Sequence, residues 1–291
     1  MMTDWGRMSR AERDAAYNNS AAVADSAEHI ARWTMASAAW RAAHPAHLDI
    51  PYASKERTRW DLFPGADADA PCLVHIHGGY WQRNSREVFA CLAEGVARHG
   101  WSAALPGYTL APDASLAGIV GELRMALDWL QSRRAVYRIA GPIVLSGWSA
   151  GGHLAALLLD HPCVAAGLAI SGIYELGPIR DTYLNEKLRL IDDEIATLSP
   201  LRLAQSAKPL EIVYGSRELP ALVESSRKLH AMRAGLHLPG SLVPAPGHDH
   251  FTILETLRHP VGLLTRCALG LHDGSHRGAD HMHTISDNRV P

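Results

Sequence analysis

The sequence lacks any long hydrophobic run. Its longest apolar stretch, at residues 154–159, is far shorter than the roughly 20 residues that span a bilayer. Residues 1–17 contain no apolar core of the kind that a secretory signal peptide carries. We therefore expect a cytoplasmic protein with no membrane partner.

Cysteine is scarce, and no two cysteines form a C-x-x-C pair. This spacing predicts neither a structural zinc site nor a disulfide framework. We expect ordinary reduced thiols in or near the core, because free cysteine is usually buried. The four residues are Cys72, Cys91, Cys163 and Cys267.

A strong charge of one sign is also missing. The chain has 28 lysine and arginine residues against 30 aspartate and glutamate residues, which gives a formal net charge of −2. Without a long basic run, the sequence gives no reason to expect a nucleic-acid partner. A hydrophobic content of 47% is typical of a globular protein that can bury a large core.

Short apolar runs alternate with helical patterns through most of the chain. This alternation predicts an α/β fold, with a mostly parallel central sheet and helices on both faces. The runs lie at residues 71–77, 101–106, 142–147, 166–171, 210–214 and 241–245.

We predict a single domain over residues 1–272, because no clear linker interrupts the pattern. Residues 1–50 would form a helical arm, and the less regular segment 173–208 is the expected position of a cap or lid. Residues 273–291 are polar and lack any apolar period, which predicts a disordered tail.

A G-x-S-x-G motif occupies residues 147–151, between an apolar strand and a helix rich in alanine and leucine. In this context the glycines permit a sharp turn that exposes the serine hydroxyl near a helix amino terminus. The motif predicts Ser149 as a nucleophile. The alternative is a glycine-rich turn around an inert serine.

A second glycine motif, His77-Gly78-Gly79-Tyr80-Trp81, also follows directly after a strand. Loops of this type donate backbone N–H groups to the oxyanion of a tetrahedral intermediate. We expect the donors to be the amides of Gly79 and Ala150, together with Gly78 or Tyr80.

Two pairs of histidines lie two residues apart, His75 with His77 and His248 with His250. Four histidines could form a zinc site, but no pattern of acidic ligands accompanies them. The serine chemistry already accounts for both places, so we predict no metal and no cofactor. His77 is then expected to hold its loop by hydrogen bonds.

The acid and base of a serine hydrolase with this motif follow the nucleophile in the order acid, then histidine. Glu218 lies four residues after the apolar run that ends at Tyr214 and is the best candidate acid, whereas Glu211 opens that run. His250, just before the predicted last helix, is the preferred base, with His248 in reserve.

Three aromatic residues, Tyr80, Trp81 and Trp148, flank the predicted centre. They are equally consistent with a pocket for an aryl substrate and with ordinary core packing.

Several of these segments resemble the arylformamidase (kynurenine formamidase) branch of the α/β hydrolases. The resemblance covers residues 12–260, and HF at 250–251 supports His250 as the base. It is carried by YNNSAAVAD at 17–25, HGGYW at 77–81, GWSAGGH at 147–153, ISGIYELGPIRDTYLNEKLRL at 170–190, SPLRL at 199–203 and HF at 250–251.

This resemblance implies an α/β-hydrolase fold and hydrolysis of N-formylkynurenine to kynurenine and formate. The sequence departs from the family at Trp148, where a histidine is expected, and at Glu218, where animal members carry aspartate. Neither change removes a member of the predicted triad. Bacterial relatives of this type also act as esterases or amidases on other acyl groups.

We therefore expect a serine hydrolase that cleaves a small amide or ester through an acyl-enzyme, with aryl-formamide hydrolysis as the leading hypothesis. A carboxylesterase or amidase for another small acyl substrate is the alternative. A catalytically silent binding protein is a third hypothesis, because a fold alone does not prove activity. The sequence leaves a homodimer open.

Overall fold

The structure, a computed structural model, describes residues 5–273. The predicted tail at 273–291 lies outside the described residues except for Asp273. The helices are α1 (Arg10–Ala16), α2 (Asn19–Ala22), α3 (Ser26–Ala43), α4 (Arg86–Phe89), α5 (Glu94–Ala97), α6 (Leu116–Arg133), α7 (Ala150–Leu157), α8 (Gly177–Arg180), α9 (Asn185–Leu188), α10 (Asp192–Leu198), α11 (Pro220–Gly235), α12 (Glu255–Arg258) and α13 (Leu263–Asp273).

The strands form one sheet in the order β1-β2-β4-β3-β5-β6-β7-β8. Strand β2 pairs antiparallel with both β1 and β4, and the remaining pairs, from β4 to β8 in this order, are parallel. The mostly parallel sheet predicted from the sequence is confirmed. The strands are β1 (Ile50–Pro51), β2 (Arg59–Phe63), β3 (Cys72–Ile76), β4 (Ser102–Pro106), β5 (Ile143–Trp148), β6 (Val164–Ile170), β7 (Leu210–Gly215) and β8 (Leu242–Ala245).

The sheet has a hydrophobic core on each face. Successive side chains of a strand point to opposite faces, and neighbours in β5 accordingly belong to different cores. Ile143 and Leu145 pack in the first cluster, whereas Val144 packs in the second. Every residue of β3, β5 and β7 is buried, as expected for parallel strands covered by helices on both sides.

Helix α6 shows how the sequence sets a local boundary. Ser115 stands in extended conformation just before the helix, and its Oγ accepts a hydrogen bond of 3.1 Å from the amide of Gly118. This N-cap pairs one of the amides that the first turn leaves free. Ile119, Leu123 and Leu127 then recur at helical spacing and are all buried.

The predicted helical arm is present as three helices. Ser9 and Glu12 form a capping box at the start of α1, and α3 lies against α4 and residues 90–93. Trp33 of α3 is completely buried, and its Nε1 donates a 2.6 Å hydrogen bond to Glu255. The arm is therefore fixed to the body of the protein by a buried anchor.

Residues 173–208 contain the short helices α8, α9 and α10, which agrees with the irregular sequence pattern of this segment. All four cysteines are free and are buried or half-buried. Within residues 5–273, no helix combines the length and the hydrophobicity that crossing a membrane requires. The single-domain organisation stays a prediction.

Candidate active site

Ser149 lies at the sharp turn between β5 and α7. Its backbone has φ 58° and ψ −117°, a strained conformation that residues other than glycine rarely adopt. A Cβ at Gly147 would lie 2.0 Å from the carbonyl oxygen of Gly151, and one at Gly151 would lie 2.0 Å from that of Ile76. The two glycines of the motif are therefore required by close packing of the backbone.

His250 lies in the loop after β8, and its Nδ1 is 3.1 Å from Oε2 of Glu218. Both side chains are almost entirely buried. Because the carboxylate accepts from Nδ1–H, the nitrogen left for proton exchange with a nucleophile is Nε2. The structure thus brings the predicted acid and base together.

The other oxygen of Glu218 is also bound. Its Oε1 accepts hydrogen bonds from Ser171 Oγ at 2.5 Å and from the amide of Gly215 at 2.6 Å. These two donors fix the carboxylate that faces His250. Ser171 was not predicted from the sequence, because its position directly after β6 indicates the edge of the sheet where it lies but not its partner.

Ser149 and His250 line the same cleft, which we call the Ser149 cleft. Its volume is about 60 Å³. Its lining residues are Asn19, Ser20, Ile30, Gly79, Tyr80, Arg83, Asn84, Trp148, Ser149, His250 and Phe251. Ser149 itself is only 2% exposed.

The predicted oxyanion loop lies directly against the nucleophile. A Cβ at Gly78 would be 3.1 Å from Cβ of Ser149. Gly79, Tyr80 and Trp81 have φ values of 123°, 53° and 59°, so three successive residues turn in the left-handed region. Within residues 5–273, no protein acceptor pairs with the amide of Gly79 or Tyr80.

The remaining predicted donor, Ala150, is the first residue of α7. Amides in the first turn of a helix have no partner within the helix, so this N–H is free to face an anion beside Ser149. The arrangement places Gly78, Gly79, Tyr80 and Ala150 around one serine. Their role as oxyanion donors stays a prediction.

His77 stabilises the predicted oxyanion loop. Its Nδ1 donates to the carbonyl oxygen of Gly78 at 2.9 Å, and its ring stacks on Tyr108 with 4.3 Å between centroids. Burial lowers the pKa of His77 to about 4, so the ring is neutral near pH 7. This geometry agrees with the structural role expected for His77.

The histidine pairs do not meet. His75 bonds to Ser146 Oγ at 3.2 Å, and the His248 backbone carbonyl accepts from the amide of Arg217. In the described part of the chain, no group of three or more histidine, cysteine, aspartate or glutamate side chains could hold a metal ion. The four-histidine zinc alternative therefore has no geometric basis in these residues.

The three predicted aromatic residues differ in position. Tyr80 and Trp148 line the Ser149 cleft. Trp148 Nε1 donates a 2.8 Å hydrogen bond to the carbonyl oxygen of His250, so this tryptophan positions the histidine loop. Trp81 is fully buried, packs edge-on against His153 and does not line the cleft, which corrects its expected place beside the substrate.

Part of the lining of the Ser149 cleft comes from the arm. Asn19, Ser20 and Ile30 belong to its lining, whereas no residue of 173–208, a segment described in full, contributes. The possible role of 173–208 as a cap or lid stays a prediction. An irregular pattern identifies a segment that departs from the sheet, but it does not say which surface that segment covers.

Comparison with known proteins agrees with this geometry. The BD-FAE family matches residues 62–160, which include both glycine motifs. The chain is 27% identical to kynurenine formamidase from Danio rerio, over 92% of this chain and 98% of that protein. It is 28% identical to kynurenine formamidase from Salmo salar over 72% and 76%, and 27% identical to esterase LipC from Mycobacterium tuberculosis over 65% and 55%.

Solved structures share the fold. A structure of a thioesterase candidate from Silicibacter sp. TM1040 superposes with a TM-score of 0.79 at 27% identity, over 89% of this chain and 99% of that one. Esterase B from Lactobacillus rhamnosis superposes with a TM-score of 0.65 at 18% identity, over 91% and 98%, and at that identity it bears on the fold alone. Together with the mostly parallel sheet, these matches show that the chain is a hydrolase with the α/β-hydrolase fold, similar to kynurenine formamidases and to esterases.

Proposed function

We propose that this hydrolase of small esters or amides uses Ser149 as nucleophile, His250 as general base and Glu218 as the acid that orients it. The main support is that Ser149, at a strained turn, lines the same cleft as His250, whose Nδ1 is hydrogen-bonded to the carboxylate of Glu218. Serine hydrolases of unrelated folds use this same arrangement of nucleophile, histidine and carboxylate.

In the proposed reaction, His250 Nε2 takes the proton of Ser149 Oγ as the serine oxygen bonds to the substrate carbonyl carbon. The oxyanion that forms is stabilised by the amides of Gly79 and Ala150, with Tyr80 beside them. His250 then returns the proton to the leaving amine or alcohol as the C–N or C–O bond breaks. Water, activated by the same histidine, releases the acid from the acyl-enzyme.

The small volume of the Ser149 cleft supports a very small acyl group. Its volume of about 60 Å³ is a few times the roughly 10–15 Å³ that one water requires, so only the acyl end of the substrate fits beside Ser149 and the leaving group must extend towards the mouth of the cleft. A formyl group is the smallest acyl group, and the aromatic side chains of Tyr80 and Trp148 in the walls suit an aryl leaving group. We propose aryl-formamide hydrolysis, with N-formylkynurenine as the leading substrate.

Arg83 supports this proposal at the mouth of the cleft. The side chain is exposed, lines the cleft and lies over the ring of Tyr80 at 5.8 Å. Within residues 5–273 its side-chain partner is the hydroxyl of Tyr183, and not a carboxylate. N-formylkynurenine is an amino acid, and its carboxylate would complement this guanidinium.

Hydrolysis of small carboxylic esters is the second candidate. It is favoured by the similarity to esterase LipC and by a cleft whose chemistry would act on either bond. The same triad would form the same acyl-enzyme, so only the leaving group and the acyl size separate the two functions.

The test is the kcat/KM of the purified protein on N-formylkynurenine, p-nitrophenyl acetate and p-nitrophenyl butyrate, with Ser149→Ala as the blank. We expect formylkynurenine to exceed both esters by orders of magnitude and Ser149→Ala to abolish all three activities. Turnover of the esters alone would overturn the formamidase proposal and leave the triad. Full activity of Ser149→Ala would overturn the triad as well.

A further inference from the structure

Asn19, from the arm, is held over the Ser149 cleft by a directed chain of hydrogen bonds. The hydroxyl of Tyr80 donates its single proton to the backbone carbonyl of Tyr17. It can therefore only accept from Asn19, whose side chain lies 2.8 Å away. Since an acceptor must face a donor, the atom of Asn19 that points at Tyr80 is the amide nitrogen Nδ2.

This assignment leaves the carbonyl oxygen of Asn19 without a partner. Asn19 is only 3% exposed, and within residues 5–273 its Oδ1 is buried with no hydrogen bond. A buried acceptor that is left unpaired is costly. Because Asn19 lines the same cleft as Ser149 and His250, a donor carried by the substrate is the group that can pair with it.

We propose that Oδ1 of Asn19 accepts the N–H of the scissile bond and so selects secondary amides over the corresponding esters. The inference rests on the proposed function, because it takes Ser149 as the point of attack. An ester of the same shape carries an oxygen where the amide carries N–H, so its acceptor would face the buried Oδ1 and leave it unpaired. Sites built to bind a substrate N–H reject analogues that lack it for this reason.

The specificity is set by the arm, not by the triad. The BD-FAE match begins at residue 62, so it does not include Asn19. The triad and the oxyanion loop would hydrolyse either bond, whereas Oδ1 of Asn19 is an acceptor to which only the N–H of the amide can donate. Tyr80 links the two parts, since its backbone belongs to the oxyanion loop and its hydroxyl orients Asn19.

The test compares formanilide with phenyl formate, which share the formyl and phenyl groups and differ only by N–H against O. The kcat/KM of each is measured for the native protein, Asn19→Ser and Asn18→Ser. Asn18 is the matched control, because it lies outside the cleft lining, and serine retains an oxygen for its hydrogen bond to the amide of Ala21. The ester activity reports folding in every variant.

We expect Asn19→Ser to lower the amide-to-ester ratio of kcat/KM by about ten-fold, the value of one neutral hydrogen bond, and Asn18→Ser to leave the ratio unchanged. Equal loss of both activities, or an unchanged ratio in Asn19→Ser, would overturn the inference. Neither result touches the proposed triad, which fails if Ser149→Ala remains active on both substrates.

Discussion

Single hydrogen bonds to Glu218 fix the position of His250. Oε2 faces His250 Nδ1, and Oε1 is fixed by Ser171 Oγ and the amide of Gly215. A carboxylate with both oxygens bound cannot rotate away from the histidine without breaking charge-assisted bonds. Ser171 is therefore a positioning residue for the proposed triad.

Removing this hydroxyl should lower activity without unfolding the protein. We predict that Ser171→Ala reduces kcat/KM by about ten-fold or more, because hydrogen bonds to charged groups contribute roughly 1.5–3 kcal/mol. The loss should fall mainly on kcat. Ser226→Ala is the matched control, since Ser226 Oγ is equally buried but has no hydrogen-bond partner within the described residues.

Steady-state kinetics on one small ester would show the difference. If Ser171→Ala and Ser226→Ala gave the same kcat, the bond to Glu218 would have no role in catalysis.

The sequence predicted Ser149, Glu218 and His250 because each is marked by its local context and by the order in which the three occur. It could not predict Ser171, whose partner depends on the pairing of β6 with β7 and on a backbone turn at φ 52°. Nor could it place Trp81, because an aromatic residue beside a motif is equally compatible with the cleft and with the core.

At the scale of elements, the strands and the sharp turn at Ser149 can be predicted from local sequence pattern, whereas the position of the arm cannot. Buried runs such as β5 and β7 have one compatible environment, the centre of a parallel sheet. The contact between α2 and the Ser149 cleft joins segments far apart in the chain. A helical periodicity identifies such an arm but carries no information about the surface that it covers.

The buried anchor of α3 allows the arm to be tested. Trp33 packs edge-on against Trp148, with 5.9 Å between ring centroids, and stacks on Phe251 at 6.2 Å. It therefore supports the two aromatic residues that lie beside His250. We predict that Trp33→Ala lowers the free energy of unfolding by about 3–5 kcal/mol and also lowers kcat/KM under conditions in which the variant remains folded. Urea denaturation and initial rates measure the two effects.

Met35→Ala provides the control on the same helix, because Met35 is 75% exposed. It should change stability by less than about 0.5 kcal/mol and leave activity unchanged. An arm that served only as a surface attachment would give the opposite result, with Trp33→Ala as stable as Met35→Ala.

At the scale of the whole molecule, buried neutral histidines make stability depend on pH. Burial lowers the pKa of His75 to about 3 and those of His77 and His153 to about 4, from an ordinary value of 6.5. Below pH 6.5 the unfolded chain takes up protons at these positions and the folded protein does not. The stability that they contribute is present above pH 6.5 and is lost as the pH falls towards 4.

We predict that the free energy of unfolding decreases between pH 7 and pH 5, by about 1.4 kcal/mol per pH unit for each such histidine once the pH is below 6.5. His153→Gln should weaken this dependence, because glutamine does not titrate. Urea titrations at pH 7, 6 and 5 measure it. An unfolding free energy that is constant over this range would show that these histidines are not buried in the neutral form.

The central claim is that Ser149 is an activated nucleophile beside His250 and Glu218. The most direct measurement is labelling of the purified protein with a fluorophosphonate, followed by mass spectrometry of the peptide that contains residue 149, with His250→Gln and Ser149→Ala in parallel. We predict one phosphonylated residue, Ser149, with labelling much slower in His250→Gln and absent in Ser149→Ala. Labelling that persists in Ser149→Ala, or a native protein that does not react, would contradict it.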